Sequence, residues 1–177
     1  LGLLPIVRRV WSPIGERPKA TVRLVYEWIY LFAFVHIASG DVVWQILPTV
    51  NTEAMTKALE DFAVNAAVDE ANPAALVLDG AGWHTGGALV LPPGVHLIFL
   101  PAYSPELQPA EHLWPLVREA LANRVFRDLD ELDKAVGERC CELSEQPDVI
   151  QSVVAFHWWP KDQCVLLAPG SISEGAA

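Results

Sequence analysis

The chain of 177 residues is poor in cysteine and in positive charge, and it has no long apolar run. Its three cysteines, Cys140, Cys141 and Cys164, form no Cys-X-X-Cys pair and leave an odd count, which favours free thiols in a reducing cytosol. No apolar stretch reaches the roughly 18 residues of a membrane-spanning helix, and no signal peptide is visible. We therefore expect a cytoplasmic protein without a membrane partner.

Positive charge is scarce: 12 Lys and Arg face 22 Asp and Glu, for a net charge of −10. That balance counts against a module whose main task is to hold phosphates, because nonspecific DNA affinity comes largely from cationic contacts. An acidic domain can still act on DNA where metal ions offset the charge of its active site. Internal repeats, a P-loop, a nucleophile elbow and zinc-finger spacing are also absent from the sequence.

What is present is a chain long enough for one domain with a sizeable core, with 52% hydrophobic residues. Since it begins at Leu1 and not at Met, we expect a piece of a longer protein. Alternating patterns predict a hairpin over 22–47 that turns at Ser39-Gly40-Asp41, with its first strand covered on both faces. Helical patterns cover 51–67, a segment after Pro109, and 128–145.

Two short apolar runs, Ala74 to Leu78 and Val95 to Leu100, read as buried strands, and each ends in a loop. Asp79 follows the first run directly, where sites in open α/β sheets usually lie. The second run leads through the loop PAYSPELQP to a helix that carries Glu111 near its start. Two carboxylates could thus meet at one sheet edge, which is the arrangement that divalent-metal chemistry on phosphodiesters needs.

A simpler interpretation exists for each acid. An Asp-Gly pair after a strand is most often a turn, and a Glu in the first turn of a helix often serves only the helix dipole. Spacing alone leaves the two interpretations open.

Three strings, RRVWSPIGERP, LVLDGAGWH and LPAYSPELQPAEHLW, resemble in this order the catalytic domain of DDE transposases, in the bacterial insertion-sequence group related to mariner elements. The family pattern has a strand ending in Asp with a His five residues on, matched by Asp79 and His84. It then has a Tyr-Ser-Pro loop and a Glu followed three residues later by Trp, matched by Tyr103, Ser104, Pro105, Glu111 and Trp114. The 32 positions from Asp79 to Glu111 lie within the spacing such enzymes show between their second and third acids.

Two departures accompany this resemblance. Gln108 stands where the family usually has Asn. The family's first catalytic Asp lies on a strand just before the segment that opens this chain, and it has no counterpart here. Asp41 is a poor substitute for it, because turn chemistry explains that residue.

The resemblance implies an α/β fold with a ribonuclease H-like mixed sheet flanked by helices and a truncated N-terminal strand. The domain would span 1–160, followed by a tail over 161–177. It implies that Asp79 and Glu111 hold Mg²⁺ or Mn²⁺ and that the partners are DNA, both transposon ends and target. Without the first Asp we expect impaired or absent activity, and the exposed sheet edges predict a homodimer.

Other interpretations remain open at this stage. The chain is alternatively a non-catalytic ribonuclease H-like remnant that serves oligomer or DNA-complex contacts, or a nuclease of the same fold that acts on other nucleic acids. The most basic patch, Arg8, Arg9, Arg17 and Lys19, surrounds Trp11 and would suit a nucleic-acid backbone, yet solvated arginines around a packed Trp are equally common.

Overall fold

A computed structural model describes residues 1–19, 24–79, 89–101 and 104–155. His84, Tyr103, the 157–159 aromatic cluster and the 161–177 tail, which the sequence singles out, lie outside these ranges. None of the helices in the described ranges has the length and apolar character needed to cross a bilayer.

A hairpin forms the first sheet. Strands β1 (Tyr30–Val35) and β2 (Val42–Leu47) pair antiparallel, with Val35 opposite Val42 and Tyr30 opposite Leu47. The turn depends on Gly40, whose φ of +80° suits glycine and whose added Cβ would collide with the Pro147 carbonyl. The predicted hairpin and its turn are confirmed, although regular pairing begins only at Tyr30.

The expectation that the first strand is covered on both faces is wrong for the segment that leads into it. Tyr26 is 72% exposed, and Trp28 and Tyr30 are 45% and 40% exposed. Alternate residues of an extended chain share one face. Phe34, further along that face, is buried because its ring stacks on Phe62 at 4.7 Å between centroids. The covering helix therefore reaches only the far end of the strand.

That helix is α1 (Thr52–Asn65), which begins where the sequence predicts. The Asn51 side chain accepts a hydrogen bond from the Ala54 amide at 2.7 Å and so caps the first turn. The helical spacing of Met55, Leu59, Phe62 and Ala63 predicts one apolar face, and all four residues are buried together with Ala58.

Strands β3 (Ala74–Leu78) and β4 (Val95–Phe99) form the second sheet and run parallel, with Ala74 opposite Val95 and Leu78 opposite Phe99. The two strands are confirmed, but the expectation that they are buried holds only in part. Val95 is buried, whereas Ile98 and Phe99 are exposed. One face packs on the cluster around α1, and the other is open to solvent.

After β4 the chain enters two 3₁₀ turns, Pro105–Leu107 and Pro109–His112, and then three α-helices. These are α2 (Leu113–Leu121), α3 (Leu129–Ser144) and α4 (Pro147–Val154). The Asp128 side chain caps α3 by accepting from the Glu131 amide at 2.9 Å. Arg139 of α3 donates from Nε to the Leu116 carbonyl at 3.1 Å, which ties α3 to α2.

Two apolar cores lie on opposite faces of the hairpin. Leu31, Ala33 and Val35 pack on the core made by α2, α3 and α4, whereas Phe32 and Phe34 pack on the core of α1 and β3–β4. Helices therefore flank the hairpin on both sides, as the predicted α/β class requires. Within the described ranges the strands form two separate pairs instead of one continuous sheet, because no described strand joins β1 to β3.

Candidate active site

Asp79 follows β3 directly, at the carboxyl end of the parallel pair. The ladder continues one step beyond the strands, since the Leu100 amide donates to the Leu78 carbonyl at 2.8 Å. This bond holds the Leu78 carbonyl, directly before Asp79, against the residue that follows β4. The Asp79 residue is exposed, as a ligand for an external cation must be.

Glu111 lies in the second 3₁₀ turn, just before α2. Pro109 in that turn is buried, and so is Leu113, the first residue of α2. The Glu111 amide donates to the Gln108 carbonyl at 3.1 Å, while the residue itself is exposed. Pro109 and Leu113 thus hold the turn against the core, while the Glu111 residue stays at the surface, on a face different from that of Leu113 as helical periodicity predicts.

The two acids belong to segments that leave the same edge of one sheet. Because β3 and β4 are parallel, their carboxyl ends align, and the chain passes from β4 through Leu100 toward the turn of Glu111. Carboxylate oxygens are the donors that Mg²⁺ and Mn²⁺ prefer. No group of three His, Cys, Asp or Glu side chains able to hold an ion occurs in the described part of the chain. The pair fits such a cation chemically but supplies only part of a ligand shell.

A cavity of about 290 Å³ opens beside α2. Trp114 and Arg118 line it from the helix, and Leu1, Tyr30 and Phe32 line it from the hairpin side. Sequence periodicity places Trp114 and Arg118 on the face of Glu111. It does not predict the cavity, because Tyr30 and Phe32 of the opposite wall lie some eighty positions earlier in the chain.

Among the described residues, the edge of β1 that faces away from β2 is paired only in the segment just before the strand, up to Ile29. Leu1 and Ile29 exchange two main-chain hydrogen bonds at 2.9 Å, and the Leu3 amide donates to the Glu27 carbonyl at 3.1 Å. At the other end of β1, the His36 amide donates to the Asp41 carbonyl at 2.8 Å. Because hydrogen-bonded pairs alternate along antiparallel strands, the main-chain groups of the even-numbered residues of β1 bond to β2. The main-chain groups of odd-numbered residues such as Leu31 therefore face the opposite edge.

Asp41 is held in the hairpin turn, as expected from turn chemistry. The Ser39 hydroxyl donates to the Asp41 carboxylate and lies 2.7 Å from Nδ1 of His36. The Asp41 carboxylate thus takes part in this turn, which agrees with the prediction that turn chemistry explains the residue.

Comparison with known proteins identifies relatives of the chain. Residues 3–133 match the family described as DDE superfamily endonuclease. The protein y4pE/y4sA of Sinorhizobium fredii is 37% identical over 136 residues, which cover 74% of this chain and 96% of that protein. The crystal structure of a pre-cleavage Mos1 transpososome superimposes with a TM-score of 0.54 at 16% identity, over 90% of this chain and 54% of the other. This chain thus spans about half of the Mos1 chain, and the likeness confirms the ribonuclease H-like α/β fold.

Proposed function

This chain belongs to the DDE superfamily endonuclease family, and from that premise we propose that it forms the catalytic domain of an insertion-sequence transposase, with metal-dependent DNA cleavage and strand transfer as its reaction. The observation that carries the proposal is the placement of Asp79 and Glu111 on segments that leave one edge of the β3–β4 pair. The catalytic domain would cover 1–160. Its substrates are transposon ends and target DNA.

In this proposal the protein holds two carboxylates at fixed positions. Asp79 is placed by the parallel ladder, and Glu111 is placed by the buried Pro109 and Leu113 on either side of it. When bound, one or two Mg²⁺ or Mn²⁺ ions would activate a water or a DNA 3′-hydroxyl and stabilise the leaving oxygen of an in-line displacement. The reaction then needs no nucleophilic side chain.

The strand that carries the family's first Asp would precede Leu1. The main-chain bonds of Leu1 and Leu3 to the segment before β1 set an antiparallel register. A strand entering Leu1 in that register would lie along the free edge of β1, where its alternate residues would face Leu31 and Ala33. It would also border the cavity lined by Arg118. Without that strand we propose that the pair binds metal weakly and turns over little DNA.

The metal pair can be tested on the chain as it stands. We expect Asp79→Asn and Glu111→Gln each to weaken Mn²⁺ binding by about tenfold, because each removes one of few oxygen ligands. Titration calorimetry with Mn²⁺ measures the effect. Glu106→Gln is the matched control, since this exposed carboxylate lies in the first 3₁₀ turn of the same loop and should leave the affinity unchanged.

A second candidate is a non-catalytic scaffold of the same fold. It is favoured by the lack of any three-residue ligand group in the described ranges. It predicts that Asp79→Asn binds Mn²⁺ as the unaltered chain does, and that result would remove the enzymatic proposal.

For the chain as it stands we also propose a homodimer, because in the described ranges no strand lies beside the β1 edge beyond Ile29, and a strand of another chain can pair there. Multi-angle light scattering is expected to give twice the mass of the 177-residue chain. A monodisperse monomer would contradict the proposal.

A further inference from the structure

The segment from residue 7 to residue 19 stands out from the surface. All of its residues except Ser12 are exposed, and it contains no helix or strand. The side chains of Trp11 and Ile14 are fully exposed to solvent. Large apolar side chains left in water have no role in the core and are typical of surfaces that a partner covers. We call this segment the basic arm.

The basic arm is ordered locally and fixed at its root. The Asn123 side chain accepts from the Arg8 amide at 3.0 Å, and the Asn123 amide donates to the Ile6 carbonyl at 2.8 Å. At the tip, the Glu16 amide donates to the Pro13 carbonyl at 3.1 Å and closes a turn around Gly15, whose φ is +91°. The arm thus holds its exposed side chains on a defined turn that projects from the end of α2.

Charge separates the basic arm from the rest of the chain. Four of the 12 Lys and Arg residues fall within these 13 positions, against one acid, in a protein of net charge −10. Arg8 lies 3.9 Å from Glu119 at the root. The other three cations, Arg9, Arg17 and Lys19, are exposed and surround Trp11 in the sequence. Cations near an exposed indole match a nucleic-acid strand, because phosphates take the charges and a base can stack on the ring.

We propose that the basic arm is a DNA-holding site separate from the carboxylate pair: Arg9, Arg17 and Lys19 contact the phosphodiester backbone, and Trp11 stacks on an unpaired base. The proposal rests on the proposed function for the presence of DNA, and it adds the surface that grips it. The arm is a local region of positive charge on a chain whose net charge of −10 argues against DNA binding elsewhere on its surface.

The position of the arm indicates which part of the DNA it would hold. Its root at Asn123 comes just after α2, and Glu111 comes just before that helix. The twelve residue steps from Glu111 to Asn123, most of them in α2, span roughly 18 Å at a rise of about 1.5 Å each. The arm therefore contacts flanking DNA and leaves the reacting phosphate to the acid pair.

The test measures DNA binding in EDTA, so that the metal pair does not contribute. Fluorescence anisotropy with a labelled 20-base-pair duplex gives the dissociation constant as a function of salt. We expect the double variant Arg9→Gln/Arg17→Gln to reduce the slope of log K against log salt by about 2, because each lost phosphate contact removes about 0.9. The matched control, Lys57→Gln/Lys134→Gln, removes two equally exposed charges on α1 and α3 and should leave the slope unchanged.

Trp11 is tested with a duplex that ends in unpaired bases. Trp11→Ala is expected to weaken binding to this duplex by about 5- to 100-fold, which corresponds to the loss of one stacked base, and to affect a fully paired duplex far less. Trp11→Phe keeps an aromatic face and should restore most of the affinity. Thermal unfolding should be the same for all arm variants, since none of the altered side chains is buried.

Three results would overturn the arm proposal. The first is that the unaltered chain shows no salt-dependent affinity for DNA. The second is that the arm variants bind DNA as the control variant does. The third is that the arm variants change only the sedimentation of the protein without DNA, which would identify a second copy of the chain as the partner. The proposed function fails separately, through unchanged Mn²⁺ binding by Asp79→Asn. Each proposal can therefore fail while the other stands.

Discussion

Replacing Gly94 by Ala is expected to destabilise the fold by about 2 to 5 kcal/mol, the sum of a strained left-handed backbone and an overpacked contact. Gly94 has φ of +79°, and a Cβ there would collide with the main chain of Asp69. Its carbonyl also accepts from the Ala74 amide at 2.8 Å, where β3 begins. Because the obstacle is backbone on both sides, no side chain can move away to relieve it.

Two other glycines serve as controls for this variant. Gly15 has a similar positive φ but nothing within contact distance, so Gly15→Ala should show the backbone strain alone, about 1 to 2 kcal/mol. Gly137 lies within α3 with open space around it, and Gly137→Ala should stabilise the fold by up to about 1 kcal/mol through helix propensity. Urea unfolding followed by circular dichroism measures all three. Equal effects at Gly94 and Gly15 would show that the collision is relieved.

Replacing Leu113 by Ala should cost about 2 to 5 kcal/mol, since it empties a fully buried site in the core between the hairpin and the C-terminal helices. Leu113 is the first residue of α2 and holds the turn of Glu111 against that core. We therefore expect Mn²⁺ affinity to fall together with stability. Urea unfolding and Mn²⁺ titration of the same preparation give both quantities.

Two other variants serve as controls for Leu113→Ala. Leu113→Met nearly conserves volume and should cost less than about 1.5 kcal/mol. Leu24→Ala removes the same atoms from a side chain that is 70% exposed, so its effect should stay within about 0.5 kcal/mol. If Leu24→Ala cost as much as Leu113→Ala, the burial difference between the two sites would not govern stability.

Sequence patterns predict the local elements closely because their causes are local. The β3 run ends at Leu78 as predicted, and α1 begins after the capping Asn51 because that side chain bonds within its own turn. The apolar spacing of α2 predicts five packing positions: Leu113, Leu116, Val117, Ala120 and Leu121. Three of them, Leu113, Val117 and Leu121, are buried, and the other two are half-buried. Patterns of this kind depend on neighbours within one or two helical turns.

The sequence predictions that were wrong concern surfaces that segments distant in the sequence either cover or leave exposed to solvent. An aromatic strand such as 26–34 reads as buried on both faces, yet α1 reaches only the Phe34 end and leaves Tyr26 in solvent. The basic arm is the converse case. Its sequence allows a packed Trp11 as well as an exposed one. In the structure the arm is rooted at Asn123, and nothing in the described ranges covers the Trp11 side chain.

The sequence by itself determined the family, the order of helices and strands as far as α3, and the two acids proposed as metal ligands, because these depend on motifs and periodicities within short stretches. It did not predict the last helix, α4. Only the tertiary structure decided that Asp79 and the chain leading to Glu111 leave one sheet edge, and that the basic arm stands in solvent. It also decided that, within the described ranges, no strand lies beside the β1 edge that is in register with Leu1. Each of these depends on contacts between residues far apart in the chain, which a local pattern does not contain.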